Sequence, residues 1–456
     1  MAEQRTSIHG QWSSRFAFIL AATGSAVGLG NIWKFPYMAG ENGGGAFVLV
    51  YIACIALVGL PIMMAEVMLG RRGRQSPINT MRTLAREEGR SGLWQYLGWG
   101  GVIAGFFILS YYSVIAGWTM AYFFRTIGGT FDGVTAEVAG QVFGNLVSDP
   151  ERLLAWHTIF MVLTTVVVSR GVEHGLEKSV RFLMPALFII LILLVGYAMS
   201  QGAFMQGVHF LFDADFSKLS ADVVLKAMGQ AFFTLSLGMG AIMIYGSYLP
   251  SDASIARTTF TIVVMDTLVA LLAGLAIFPI VFGNGMTADQ GVGLIFKVLP
   301  IAFGQMPMGT VFGGLFFLLL LFAAWTSAIS LIEPAAAWLV ENHGMNRIYA
   351  AVACGMAAWL LGVGTVLSFN LWAEVTLFDK TFFDLMDYLT SNVMLPLGGL
   401  SIALFAGWAM SRNASQDELR LKLSYHLWRF LIRFVSPVLV ALVFLNAIGV
   451  LSFGRG

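Results

Sequence analysis

Polar and apolar residues in this chain are sorted into long blocks. Eleven stretches are apolar enough to cross a bilayer as helices: Phe16 to Trp33, Ala46 to Ala65, Ser91 to Phe124, Leu153 to Ser169, Phe182 to Val208, Ala227 to Ser251, Thr258 to Ala288, Val298 to Ile332, Ile348 to Ala373, Tyr388 to Ser411 and Phe434 to Gly454. A spanning helix needs about 20 such residues. The seventh stretch is interrupted by a single charge, Asp266, and the ninth carries none. A β-barrel would instead show segments of about ten residues with alternating hydrophobicity. The pattern predicts an all-α integral membrane protein with eleven transmembrane helices.

Composition agrees. Of 456 residues, 58% are hydrophobic and 11% charged, which excludes a soluble domain, where about 25% would be charged. With 26 basic and 25 acidic residues there is no basic surface to suit a nucleic acid. Cys54 and Cys354 sit inside apolar runs, so a disulfide framework or a cysteine metal site is not expected. Arg5 and Arg15 precede the first stretch as in a signal peptide, but it runs into Gly28-Leu29-Gly30-Asn31 rather than a small-residue cleavage site. It reads as a retained helix. Eighteen of the 26 lysines and arginines fall on the N-terminal side of the membrane, so the positive-inside rule predicts a cytoplasmic N-terminus and a periplasmic or extracellular C-terminus.

Two of the helices carry unusual centres. Gly24-Ser25-Ala26-Val27-Gly28-Leu29-Gly30-Asn31 lies in helix 1, and Thr234-Leu235-Ser236-Leu237-Gly238-Met239-Gly240 in helix 6. Either run alone also fits close helix packing. As the first and sixth of eleven spans, they would be equivalent in a five-plus-five repeat. Paired helix breaks of that kind mark a midplane binding site, because unwound backbone needs a ligand or cavity to satisfy it.

Ionisable residues narrow the site. Asp266, with nothing cationic near it in sequence, reads as an ion ligand. Glu66 and Glu333, near helix ends, fit a structural pairing as well. Thr326-Ser327 adds hydroxyl oxygens in helix 8, although such residues often bond back to their own helix. No phosphate-binding loop, metalloprotease His pair or nucleophile elbow is present. The chain is not expected to be an enzyme. A channel reading lacks a symmetric ring of filter residues.

Ala26-Val27-Gly28-Leu29-Gly30-Asn31-Ile32-Trp33-Lys34-Phe35-Pro36, Glu41-Asn42-Gly43-Gly44-Gly45-Ala46-Phe47, Gln230-Ala231-Phe232-Phe233-Thr234-Leu235-Ser236 and Trp325-Thr326-Ser327 closely resemble the neurotransmitter:sodium symporter family, in its bacterial eleven-helix form. The likeness covers essentially the whole chain. It implies one transporter domain, 1–456, in a bacterial plasma membrane. Two inverted five-helix repeats, 12–200 and 224–411, with broken helices 1 and 6, would be followed by helix 11 at 426–454. It implies sodium-driven import of an amino acid by alternating access.

The resemblance also implies two sodium sites. One would use Ala26, Asn31, Thr234 and Asp266; the other Gly24, Val27, Ala323, Thr326 and Ser327. All-oxygen shells suit a hard alkali cation. Substrate would meet Ala26, Leu29, Gly30, Ile108, Tyr112, Phe233, Thr234, Ser236, Met239, Ser327 and Leu331. That lining is apolar and lacks a spare charge, which favours a neutral, hydrophobic or aromatic L-amino acid; another zwitterion, such as a β- or γ-amino acid, betaine or taurine, is the alternative. Where many relatives carry Asn, this chain has Asp266, whose fixed charge replaces the role of bound chloride, so transport is expected to be chloride-independent. The outer gate would be Lys34 with Asp387, closed over Tyr112 and Phe233. The inner gate would be His9, Trp12, Tyr248 and Glu341. If His9 must be protonated to latch, turnover would vary between about pH 5.5 and 7.5, around histidine's ordinary pKa of about 6.5. Gly175 and Pro185 in helix 5 match the spacing at which the family unwinds that helix, and a static kink is the other reading.

Overall fold

In lipid, backbone N–H and C=O groups must be satisfied within their own segment, so apolar blocks of this length wind into helices. The computed structural model describes residues 5–287, 293–422 and 424–451. Among these, two isolated bridges are the only β-type pairings.

Helix α1 (Arg15–Ala26) is capped by Ser14, which accepts the Ala17 N–H. After a bend at Val27 and Gly28 the chain continues as α2 (Gly30–Glu41), turned by 51°. Next come α3 (Gly45–Gly73), the amphipathic α4 (Pro77–Glu87), α5 (Gly92–Ile127), α6 (Ala136–Val147), α7 (Pro150–Ser169), α8 (Val172–Met199) and α9 (Phe204–Phe212). A second broken element follows, α10 (Ala221–Thr234) and α11 (Ala241–Ser247). The rest are α12 (Ile255–Gly283), α13 (Leu294–Gln305), α14 (Gly309–His343), α15 (Arg347–Ser368), α16 (Phe382–Ala409), α17 (Arg412–Leu419) and α18 (Ser424–Ala447). Among the described residues, nine single helices are long and apolar enough to cross a membrane, and α1 with α2 makes a tenth.

Several boundaries differ from the sequence expectation. The stretch Val298 to Ile332 is two helices, α13 and α14, because Pro307 and Met308, the latter at φ 55°, turn the chain between them. The fifth span begins at Val172 rather than Phe182. The charges at its start stay helical because Arg181 pairs with Glu177 at 2.7 Å, one turn apart. The third span is shifted to Gly92–Ile127, and the sixth begins at Ala221. Ala288, and residues 452–454 of the eleventh stretch, lie outside the described residues.

The long helices α5 and α14 pack along each other through the centre, with α15 against both. α11 packs on α3, and α1 on α12 and α14. This frame brings both broken elements to one place.

Candidate functional site

The second break is dictated by backbone conformation. Ser236, Gly238 and Gly240 have φ of 54°, 82° and 77°, so the helix cannot continue through them. A Cβ at Gly238 would also lie 2.7 Å from the Leu395 carbonyl oxygen, so glycine serves both the turn and a close approach. The freed backbone is satisfied from other elements. Gly238 N–H donates to Glu66 Oε1 at 2.6 Å, Ser236 Oγ donates to the Ser25 carbonyl at 2.8 Å, and Gln230 Nε2 to the Gly30 carbonyl at 2.7 Å. The two breaks therefore touch each other directly.

Two oxygen clusters flank them. In the first, Asn31 Nδ2 donates to Asp266 Oδ1 at 2.8 Å and to the Asp266 carbonyl at 3.1 Å. Thr234 Oγ1 donates to the same carboxylate at 3.1 Å. All three residues are buried, and no basic side chain ion-pairs with Asp266 among the described residues. A carboxylate kept from water without a cationic partner is costly, and a cation offsets that cost. In the second cluster, Ser327 Oγ lies 3.2 to 3.4 Å from the carbonyls of Gly24, Ser25 and Val27 at the bend after α1. Thr326 Oγ1 lies 3.1 Å from the Ala323 carbonyl. The Asp266 carboxylate, the Thr234 hydroxyl and the whole second cluster offer oxygen, the chemistry a hard cation takes; Asn31 turns its Nδ2 to Asp266 and its Oδ1 to the Gly28 N–H, at 3.1 Å.

Between the clusters is a cavity lined by Ser25, Ala26, Gly28, Gly30, Ile108, Tyr112, Phe233, Ser236, Met239, Ser327 and Leu331. Leu29 and Thr234 do not line it. Leu29 buries its side chain and presents its N–H to Tyr112 Oη at 3.1 Å, while Thr234 belongs to the first oxygen cluster. Ser25 and Gly28 were missed by sequence reasoning, although both lie inside the glycine-rich run that announced the break. Tyr51, buried beside Asp266 and Thr234, was missed as well; as a lone tyrosine in an apolar helix it gave no signal. The cavity measures about 30 Å³, room for about two waters.

One face of the molecule is sealed. Trp12 is 2% exposed; its backbone N–H donates to the Tyr248 carbonyl at 3.0 Å and its indole to the Tyr245 carbonyl at 3.1 Å. His9 Nε2 and Glu341 Oε1 are 3.1 Å apart, and Tyr248 Oη donates to Glu333 Oε1 at 2.7 Å. His9 is not alone at Glu341, which also accepts from Ser76 N–H, Ser76 Oγ and Asn79 Nδ2 at 2.6 to 2.7 Å. Glu333 pairs with Arg347 and is satisfied from within the protein, whereas Glu66 accepts the Gly238 N–H at Oε1 and its buried Oε2 has no hydrogen-bond partner among the described residues.

The opposite face departs from expectation. Lys34 does not pair with Asp387. Its ammonium lies over the Phe233 ring, 4.4 Å from the centroid, and Asp387 accepts from Ser391 Oγ at 3.0 Å. A cavity of about 340 Å³ walled by Lys34, Phe233, Ser391 and Asn392 holds the two sides apart. Gly175 sits in a wide π-turn and Pro185 inside a continuous α8, so this segment is wound here.

Broken helices crossing around buried oxygen clusters and a small apolar cavity, within a bundle of membrane-length helices, define a multi-pass membrane transporter. The chain belongs to the sodium:neurotransmitter symporter family, whose model matches residues 9–134 and 145–453. It is 42% identical to YhdH of Bacillus subtilis (strain 168), named an uncharacterized sodium-dependent transporter, across 99% of this chain and all of that one. An uncharacterized sodium-dependent transporter of Haemophilus influenzae (strain ATCC 51907 / DSM 11121 / KW20 / Rd) is 34% identical over 95% of this chain and 97% of its own. The crystal structure of MhsT in complex with L-phenylalanine superposes with a TM-score of 0.89 at 43% identity, covering 96% of this chain and 99% of that one. The protein is thus a sodium-dependent transporter and not an enzyme.

Proposed function

We propose that the protein imports a neutral, apolar or aromatic L-α-amino acid together with sodium, by alternating access and without chloride. The observation that carries this reading is the buried Asp266 carboxylate, held by Asn31 and Thr234 and lacking a basic partner among the described residues, beside an apolar cavity at the crossing of two helix breaks. In this reading Ala26, Asn31, Thr234 and Asp266 hold one sodium. Gly24, Val27, Ala323, Thr326 and Ser327 hold a second. Asp266 supplies covalently the negative charge that chloride otherwise provides.

The substrate carboxylate meets the first sodium, the Gly30 backbone and Tyr112, and its side chain meets Ile108, Met239 and Leu331. None of these presents a charge, and each charged group brought into such a lining would lose its hydration uncompensated. At about 30 Å³ the cavity has to widen for an amino acid, and the flexible Met239 is suited to give way. Support from a relative is direct in kind, since the structure of MhsT holds L-phenylalanine.

The eleven-helix architecture belongs to this reading, with inverted repeats at 12–200 and 224–411 and helix 11 at 426–454. So does its setting in a bacterial plasma membrane with the N-terminus inside. The sealed face is then the cytoplasmic gate, formed by His9, Trp12, Tyr248 and Glu341. Lys34 and Asp387, with Tyr112 and Phe233, close the outer side when substrate arrives. Unwinding between Gly175 and Pro185 opens a water path on the cytoplasmic side. Competition of the twenty amino acids, and of β-alanine, γ-aminobutyrate, betaine and taurine, against uptake into liposomes tests the substrate class. Large apolar L-amino acids are expected to compete best; dominance by betaine or taurine would replace this reading with transport of another zwitterion.

A further inference from the structure

The sealed face carries a cavity of about 480 Å³ that the transport cycle just described does not use. Its walls come from five separate parts of the chain: Arg5 in the segment before α1, Arg71, Arg72 and Arg74 at the end of α3, Glu87 at the end of α4, Ser251 between α11 and α12, and Glu418 and Arg420 around the end of α17. Five guanidinium groups face two carboxylates, an excess of three positive charges in one concavity.

The excess is not an artefact of pairing elsewhere. Arg71 is committed to Glu418 and to the Ala253 carbonyl. Arg74, 6% exposed, donates to the Ser247 and Leu249 carbonyls and has no ion pair among the described residues, although the Glu418 carboxylate partly offsets its charge. Burial and the neighbouring Arg71 both push its pKa down, as like-charge crowding requires. Arg5 and Arg72 share the single carboxylate of Glu87, and the buried Arg72 Nε finds no hydrogen-bond acceptor. Arg420 has no side-chain partner among the described residues. A second hollow continues past Arg71 and Arg420 to Arg257 and Lys422, with Asp252 as its one carboxylate, so the positive excess extends into it.

We infer that this cavity is a binding site for a phosphate-type anion, held by Arg5, Arg72 and Arg420 and bridging the segment before α1 to the ends of α3 and α17. Guanidinium forks match the tetrahedral oxygens of phosphate and bind them bidentately, and the cavity is wide enough for a phosphate with a substituent. The same chemistry is offered by the headgroup of an anionic lipid and by a soluble phosphate. Because Arg5 lies ten residues before α1, the bound anion fixes the N-terminal segment that must leave for this face to open.

The test uses the full-length protein in two arms. Purified protein is titrated with pyrophosphate and followed by thermal unfolding, with sodium chloride at matched ionic strength as control. In parallel it is reconstituted into phosphatidylcholine vesicles with or without about one-fifth phosphatidylglycerol, and lipid retained through purification is read by native mass spectrometry. The variants are Arg72→Gln, Arg72→Lys and Arg420→Asn; the last suits the left-handed backbone there, at φ 52°. The site predicts stabilisation beyond the salt control in at least one arm and a loss of about tenfold in affinity for Arg72→Gln and Arg420→Asn, with Arg72→Lys intermediate. A response only to pyrophosphate assigns a soluble ligand; a response only to phosphatidylglycerol assigns a lipid headgroup. No response beyond the salt control in either arm, or equal responses in wild type and all three variants, overturns the inference.

Discussion

Asn31 Nδ2 donates at once to the side-chain Oδ1 of Asp266, at 2.8 Å, and to its backbone carbonyl, at 3.1 Å. One amide thereby ties the second half of the broken first helix to the buried carboxylate of α12. Asp266→Asn keeps the shape and removes the charge. A hydrogen bond to a charged group is worth about 1.5–3 kcal/mol, so sodium affinity is expected to fall about tenfold or more. Wild-type uptake should be equal in chloride and gluconate, whereas the variant should lose more of its uptake in gluconate. Loss of wild-type uptake in gluconate would refute the role given to Asp266.

Gly28 carries a sharper steric prediction. A Cβ there would sit 2.6 Å from both Ser327 Oγ and Tyr112 Oη, inside van der Waals contact with two cavity groups. Gly28→Ala should weaken substrate binding by about tenfold or more, with overpacking costing about 1–3 kcal/mol. Equilibrium binding of labelled amino acid to purified protein measures it. Unchanged affinity would mean that the ligand sits elsewhere.

Much of this site could be read before the fold was known, for identifiable reasons. Asp266 stood out because an isolated carboxylate in an apolar helix has no cheap explanation, and the glycine runs because lipid-exposed backbone cannot stay unwound. The Lys34 to Asp387 contact could not be read, because it depends on which side of the transporter is closed, and sequence does not encode one state. Gly28 lines the cavity because the bend falls on it, and Ser25 because it sits in the last turn of α1 beside that bend. The single span expected over Val298 to Ile332 failed where Pro307 and Met308 interrupt an almost uniformly apolar stretch, since hydropathy averages over such turns.

At the sealed face, Glu341 accepts four hydrogen bonds, only one of them from His9. Removing Glu341 leaves Ser76 and Asn79 unsatisfied, at about 1–3 kcal/mol for each buried group, whereas removing His9 spares them. Glu341→Ala should therefore expose this face to a thiol reagent, read at a cysteine placed at Ser13, far more than His9→Ala does.

Glu333 is fully buried and pairs with Arg347 while accepting from Tyr248. Breaking a buried pair by removing one partner leaves the other charge uncompensated, at about 3–5 kcal/mol. Glu333→Gln should lower the unfolding temperature in detergent markedly. Adding Arg347→Met should recover part of the loss. If the double variant is no more stable than the single one, the pair is not the source of the cost.

The central claim is that the sodium gradient drives uptake. Reconstituted liposomes given an inward sodium gradient and labelled L-phenylalanine should accumulate it above the external concentration. Accumulation should vanish when an ionophore collapses that gradient or choline replaces sodium. Accumulation that survives collapse of the sodium gradient would contradict the account.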